Sequence, residues 1–495
     1  MNQSNREKYI IIGLIALLLA LVIVKSPISQ SLWLDETITI WTASGTTSEA
    51  ISKALTYQGQ SPLYFLIVKK LMEISSKEYF LRSFSLISVV LAGFVFFKLM
   101  QIWVTTNVAL LGAALLIASD GAILAAFSVR PYGLALLASI LATHQLFRFI
   151  DSKKTILSLS LWASSMVGMF YLHYLFALLA IPHLLFIWSN RDKLLKHQYQ
   201  GFSIAVAIGT LCALPGINQI LSLSNRVESL SFAKIPSLAD FFAAVFSISS
   251  LIYVIGGILF TRAMRKFSFN FGQQPFGRDL LPIIVWLLGA PILFFAHAHL
   301  TGNSMFVERW FLWSIPASCL ILAIPFQLIS ERKHQFMAIC MAVGFMIIRE
   351  GERKWHIEDW KGAANSIAKE SADIPVILYS GLIELESIKW LEDPDRFDYL
   401  SAPLLHYPIK QTHILANSNP DSFAGEYYND SVQPIIAKNA AVILISLKKK
   451  INKDGAQLLV PELWAEQLIS EGLTKRSLLS NPNRNQVIVE KFERP

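Results

Sequence analysis

Between residues 9 and 350 the chain is a succession of apolar runs, and this feature decides its solvent before anything else. In lipid every backbone N–H and C=O must be satisfied inside the segment, so a span needs about 20 mostly apolar residues coiled into a helix. Suitable runs occupy 9–24, 80–100, 107–127, 131–150, 156–171, 172–189, 201–220, 239–260, 280–297, 309–329 and 334–349. The adjoining runs 156–171 and 172–189 are divided at "YLHYL", because together they are too long for one crossing. Only 16% of the 495 residues are charged, against about 25% in soluble proteins. The expected fold is a polytopic α-helical membrane protein with about eleven transmembrane helices.

Orientation follows from the basic residues. The segment "SPLYFLIVKKLMEI" (61–74) is too short to span and carries Lys69 and Lys70, so it is expected as an amphipathic helix lying in the interface. With 61–74 left out of the spans, Arg6/Lys8, Lys98, Arg148/Lys153/Lys154, Arg191/Lys193/Lys196, Arg262/Arg265/Lys266/Arg278 and Arg332/Lys333 share one side. The opposite short loops keep only Arg130, Arg226, Lys234 and Arg309. Cytoplasmic loops are the Lys/Arg-rich ones, so the N-terminus is expected inside and the C-terminal region outside. The N-terminal run lacks a small-x-small cleavage site and reads as an uncleaved anchor of a plasma (inner) membrane protein. The net charge of +8 is spent on topology, so no nucleic-acid partner is expected. Cys212, Cys319 and Cys340 lie in apolar runs and imply no disulfide framework.

From 351 onward the polarity becomes ordinary. "EDWKGAANSIAKES" and "PELWAEQLISEG" (ending at Gly472) read as helices, and "PVILYS", "AAVILISL" and "NQVIVEKF" as strands. Short apolar strands alternating with helices suggest a small α/β layer domain. The expected division is a transmembrane domain over 1–350, containing a large first outer loop over 25–79, and an extracytoplasmic α/β domain over 351–495.

The first loop holds "SLWLDETITIW", with Asp35 and Glu36 side by side among Trp, Leu and Ile. Such a pair can simply cap a solvated interfacial helix, with Trp33 and Trp41 as interface anchors. On the same expected face, however, lie Arg130, Tyr132, His173, Tyr174, His299 and Arg309. A carboxylate facing cations at the lipid boundary suits a substrate with a polar head and an apolar tail. Ordinary roles remain open for each: Arg130 can terminate a span, Arg309 can pair with Glu308, and His173-Tyr174 can bond at the interface. His297 and His299 have an H-x-H spacing that could hold a divalent metal with Asp35, although no cofactor is required. Asp120, in "IASDGAIL", is expected as the N-cap of a short helix and, being ionisable at membrane depth, as an accessory candidate.

"WLDE", "QSPLYFLIVKKL" and "EYFLRSFSLISVVLAG" in and after the first loop resemble the GT-C superfamily of polyprenyl-phosphate-sugar glycosyltransferases. The resemblance is to the branch of protein O-mannosyltransferases, lipid A aminoarabinose transferase and the bacterial Rgt-type enzymes. "SVRPYG" matches that branch's Arg-x-Tyr element, and "ERWFLWSIPASCLILA" resembles its late Arg-aromatic element. The resemblance covers 9–350 and implies an acid of the first loop as catalytic base, Asp35 by position, with Glu36 beside it. It implies a polyprenyl-phosphate-sugar donor, a lipid, glycan or protein acceptor, and no nucleotide site. An inverting transfer to a hydroxyl at the outer membrane face is the expected activity. Arg130 and Arg309 are then candidates to hold the donor phosphate, with Tyr132, His173 and Tyr174 as neighbours. The family often has His-Pro or Lys-Pro before the interfacial helix, where this chain has Gln60-Ser61-Pro62, so Lys69 or Lys70 is an accessory candidate for that contact. The rival classes are a transporter or lipid-linked-sugar flippase, and an O-antigen polymerase or ligase. No internal repeat supports the first, and the short loop 298–308 does not suit the second.

Overall fold

The computed structural model describes residues 3–151, 155–223, 233–264, 268–270, 276–355, 358–386, 388–417, 427–447, 460–479 and 486–495. Lys153, Lys154, Arg226, Arg265 and Lys266, which enter the orientation argument, lie outside these residues.

The apolar runs all become helical. In chain order the helices are α1 (Gln3–Lys25), α2 (Leu34–Ala43), α3 (Thr47–Lys53), α4 (Leu63–Ile74), α5 (Glu78–Met100) and α6 (Thr106–Ala118). They continue with α7 (Asp120–Ala126), α8 (Tyr132–Asp151), α9 (Thr155–Leu172), α10 (Ala180–Ser189) and α11 (Lys196–Leu223). The last of this set are α12 (Leu238–Val245), α13 (Ile248–Met264), α14 (Leu280–Thr301), α15 (Ile315–Gln327) and α16 (Arg332–Glu352).

Among the described residues, six helices are long and apolar enough to cross a membrane, and up to eight if each bent pair counts as one span. The expectation of about eleven transmembrane helices is thus supported only as a mostly helical, polytopic class, with six to eight candidate spans. The runs 107–127 and 239–260 are each broken, α6 against α7 and α12 against α13, with bends of 63° in both. The helices over 156–172 and 174–189 are shorter than a full crossing, and α16 carries charged residues at both ends.

The first loop folds into α2, α3 and α4, which lie beside the spans instead of crossing them. Helix α4 buries Tyr64, Phe65 and Val68 and leaves Lys69 and Lys70 on its outer surface. Helix α2 is enclosed by α4 and by the C-terminal region. Its threonines survive burial by bonding back along the helix: Thr37 Oγ1 donates to the Leu34 carbonyl, Thr39 Oγ1 to that of Asp35 and Thr42 Oγ1 to that of Ile38, at 2.7–2.8 Å.

The C-terminal region carries a five-stranded sheet in the order β2-β1-β3-β5-β4. Strands β1 (Val376–Tyr379), β2 (His413–Leu415) and β3 (Ala441–Leu447) run parallel, whereas β4 (Thr474–Leu479) and β5 (Val487–Glu493) pair antiparallel. The three strands legible in the sequence, β1, β3 and β5, form the middle of the sheet. Gly472 (φ +85°) supplies the left-handed turn between the helix Val460–Ser470 and β4.

Candidate active site

Of the ten residues of α2, Asp35 alone is not buried. Its neighbour Glu36 is completely enclosed. The difference arises because consecutive residues of a helix point about 100° apart: Glu36 turns inward toward α5, and Asp35 toward a gap between α2 and the segment before α15.

Glu36 is consumed by structure. Its Oε1 accepts from Arg82 Nε (2.9 Å) and from the Val129 N–H (2.7 Å), while its Oε2 accepts from the Trp33 N–H (3.0 Å) and pairs with Arg82 Nη2. Arg82 also donates to the carbonyls of Pro27 (2.6 Å), Gln30 (2.8 Å) and Ser31 (3.0 Å), which gathers the 27–31 turn around it. Of the roles the sequence left open for Glu36, helper to Asp35 or helix cap, these contacts form the cap, since both of its oxygens are engaged within the fold.

Asp35 faces Arg309, with its Oδ2 3.9 Å from Arg309 Nη2 and both side chains about a quarter exposed. Among the described residues Arg309 makes this pair and not the local one with Glu308 that the sequence left open as an alternative. Arg130 comes in from the other side, donating from Nη1 to the Asp35 carbonyl (3.2 Å) and to Thr39 Oγ1 (3.1 Å). Its guanidinium lies 5.9 Å from the ring of Tyr132. Burial works against the Arg130 charge, but Asp35, Tyr132 and Tyr64 more than offset this and raise its pKa. The His173 ring is 5.7 Å from that of Tyr132 and within electrostatic reach of both Arg130 and Arg309. Asp35, Arg130, Tyr132, His173 and Arg309 therefore converge.

Among the described residues, Arg130 Nε, Arg309 Nε and His173 Nδ1 are buried without a hydrogen-bond partner. A buried donor left unmatched costs about 1–3 kcal/mol, more if charged. Two guanidinium forks bearing unmatched donors around one semi-open carboxylate form a place suited to an oxyanion.

Other candidates fall elsewhere. Tyr174 donates to Gln219, which in turn donates to the Gln60 carbonyl (3.0 Å), so its hydroxyl is linked to the segment leading into α4. Lys69 donates to the Gly45 carbonyl and Lys70 pairs with Glu73 (2.9 Å), both on the outer surface of α4. His299 bonds to the Pro236 carbonyl (3.0 Å) and packs on Phe295. Among the described residues no three His, Cys, Asp or Glu side chains group as metal ligands, so the H-x-H pair finds no Asp35 partner.

Asp120 is the first residue of α7, and the N-cap expected there is Ser119, whose hydroxyl accepts from the Ala122 N–H (3.3 Å). The Asp120 carboxylate accepts from Arg349 (2.9 Å), Arg353 (2.8 Å) and Ser249 (3.2 Å), pinning the break in one bent pair to the break in the other and to the end of α16. Glu350 completes the network with Arg349 (3.0 Å) and Arg353 (2.7 Å). Beside this knot is a cavity of about 570 Å³, lined by Asp120, Ser249, Glu308 and Arg349 among apolar side chains such as Leu124 and Ile252. Glu308 lines this cavity, whereas its neighbour Arg309 faces Asp35.

Tyr64 and Tyr399 were not singled out in the sequence. Tyr64, on the buried face of α4, sits within electrostatic reach of Arg130, and burial pushes its phenol pKa up. Tyr399 comes from the C-terminal region, stacks on Tyr57 (5.6 Å between centroids) and meets the edge of Trp41 (5.6 Å). It lies within electrostatic reach of Asp35 and Arg130, and burial, then Glu384, raise its pKa well above the usual phenol.

No family model and no curated protein matches the chain. Solved structures do. The crystal structure of ArnT from Cupriavidus metallidurans in the apo state superposes with a TM-score of 0.55 at 11% identity, covering 98% of both chains. The structure of ArnT from the same organism bound to undecaprenyl phosphate gives 0.54 at 11% identity over 97% of both. The fold is that of ArnT. It is a GT-C fold. The ArnT likeness runs through the C-terminal sheet as well as the helices, since almost the whole of each chain is covered. With its apolar helices, the ArnT-like chain is an integral membrane protein.

Proposed function

We propose that the protein is an inverting glycosyltransferase that moves a sugar from a polyprenyl-phosphate donor to an acceptor hydroxyl at the outer face of the membrane. The observation that carries this is the convergence of Asp35 with Arg130 and Arg309, each guanidinium bearing a buried unmatched donor. The ArnT structure with undecaprenyl phosphate adds that this fold accommodates a polyprenyl phosphate. Residues 1–350 form the catalytic membrane part and 351–495 stand outside, with the N-terminus cytoplasmic.

In the reaction, Asp35 accepts the proton of the acceptor hydroxyl as its oxygen bonds to the anomeric carbon. The bond from that carbon to the donor phosphate oxygen breaks, and the phosphate leaves with the electron pair. Attack by a base-activated hydroxyl on the face opposite the leaving group inverts the anomeric centre. Arg309 and Arg130 hold the charge that grows on the phosphate, which their planar forks suit. The loose 3.9 Å pair of Asp35 and Arg309 lets an oxyanion enter without breaking a close ion pair. The 570 Å³ cavity on the Glu308 side offers room for the polar head of an acceptor, a lipid, glycan or protein.

Helix breaks also occur in transporters, where they pair near the bilayer midplane. Against that reading, the two breaks here are tied by Asp120 to Arg349 and Arg353 at the end of α16. The test is a mass-spectrometric comparison of surface glycans and lipids in a deletion strain complemented with wild type or with Asp35→Asn. Wild type restores a glycosylated species and Asp35→Asn does not, although it accumulates as folded protein. Full complementation by Asp35→Asn overturns the assignment.

A further inference from the structure

The N-terminus of α2 is fastened by residues far away in the chain. Trp33 occupies its N-cap and has no side-chain acceptor, so the helix cannot cap its own first N–H groups with that residue. The Leu34 N–H, first of the helix, donates instead to Glu358 Oε2 at 2.7 Å, across 324 positions of sequence. One residue earlier, Glu36 takes the Trp33 N–H, and the Leu32 N–H donates to Tyr407 Oη (2.9 Å). The Lys361 N–H donates to Ser31 Oγ (3.1 Å). The same C-terminal segment is braced on α5: Lys361 Nζ pairs with Glu78 (3.0 Å), and Tyr407 Oη donates to it (3.2 Å). Tyr57 Oη donates to the Asp395 carbonyl (2.9 Å) at the far side of α2.

We propose that Glu358, from the C-terminal region, supplies the capping acceptor that the N-cap residue Trp33 lacks, and that it acts as a positioning residue for the Asp35 carboxylate on the helix it caps. This rests on Asp35 being the base. A carboxylate at a helix N-terminus accepts the orphan N–H and meets the positive end of the helix dipole. Asp35 follows Leu34 directly, so freeing the Leu34 N–H loosens the turn that aims Asp35 at Arg309. The role of the C-terminal region is then to complete the geometry of a site whose reacting groups belong to the membrane part.

The experiment uses full-length protein in nanodiscs, as wild type, Glu358→Ala and Glu358→Gln. Gln keeps a carbonyl acceptor; Ala has none. Hydrogen exchange is read on peptides covering 31–37, with β3 as the internal reference. Glu358→Ala speeds exchange over 31–37 on the order of fivefold, the size expected for a lost cap, and leaves β3 unchanged; Glu358→Gln retains protection. Unchanged protection in Glu358→Ala overturns the proposal. Where transfer is measurable, Glu358→Ala lowers kcat with little change in donor KM, and Glu358→Gln recovers most of it. A fall in KM-dependent terms alone, or no rescue by Gln, also overturns it. Exchange needs no turnover, so failure of the transferase reading leaves the capping result standing and is told apart from it.

Discussion

Asp35 keeps about a quarter of its side chain open and meets its cation at 3.9 Å, while Glu36, next in the chain, is wholly enclosed and closes on Arg82 with further bonds from Trp33 and Val129. Both are carboxylates at one helix start, and both have an arginine. What separates them is whether the protein itself satisfies the charge. A carboxylate with every lone pair engaged cannot take a proton without dismantling its surroundings. A carboxylate held loosely beside a cation remains free to do so. The same contrast divides the arginines: Arg82 spends its donors on Glu36 and the carbonyls of the 27–31 turn, whereas Arg130 and Arg309 each retain a buried unmatched donor.

The comparison breaks most sharply by substituting the two acids in turn. Glu36→Ala leaves Arg82 buried at 2% exposure without its counter-charge, and removal of one member of a buried pair costs about 3–5 kcal/mol. The expected outcome is a large drop in thermal midpoint and in yield of folded protein, read by nanodisc melting. Asp35→Asn keeps the midpoint and loses transfer. A stable Glu36→Ala, or an unstable Asp35→Asn, would reverse the division of roles.

The arginines sharpen it next. Arg309→Ala is expected to weaken undecaprenyl phosphate binding by on the order of 10- to 100-fold, the size of one or two lost charge-assisted bonds, measured by native mass spectrometry. Arg309→Lys restores the charge but not the planar fork, so it recovers binding only in part. Equal binding by all three proteins removes Arg309 from the phosphate site. Asp120→Asn gives a smaller effect. Its side chain is half-exposed, so losing its ion pairs with Arg349 and Arg353 costs on the order of 1 kcal/mol of stability, seen as a shift of a few degrees.

Much of this was legible in the sequence because hydropathy reports the solvent directly. The helical runs, the surface helix over 63–74 and the middle strands of the sheet all announce themselves by apolar content. The breaks at Ser119 and Phe246 do not, because a hydropathy run remains apolar through a 63° bend. β4 was missed since it reads "TKRSLL", with Lys475 and Arg476 on an edge strand where charge discourages further pairing. Arg82 did carry a signal, a charge in the second turn of an apolar helix that must find a partner. Glu358 and Tyr399 carried none: their roles arise from contacts made more than 300 residues away from Leu34 and Tyr57. Nothing in the local pattern of either segment points to the other.

The smallest expected effect tests whether position alone assigns a cation to the site. Lys70 stands two turns after Ser61-Pro62, where the resemblance places a donor contact, yet in the structure it is 72% exposed and paired with Glu73, itself 52% exposed. An exposed pair of this kind contributes about 0–1 kcal/mol, and its lysine remains hydrated whether or not a ligand is present. Arg309 differs in being partly buried, planar and within reach of the carboxylate that would act on the acceptor. Lys70→Ala should therefore leave the melting midpoint and undecaprenyl phosphate binding within error of wild type, in the same assays that register Arg309→Ala. Loss of binding in Lys70→Ala would move the phosphate site from the gap beside Asp35 to the outer surface of α4. Asp35 and Glu36 would then differ only in burial, with no chemistry left to separate them.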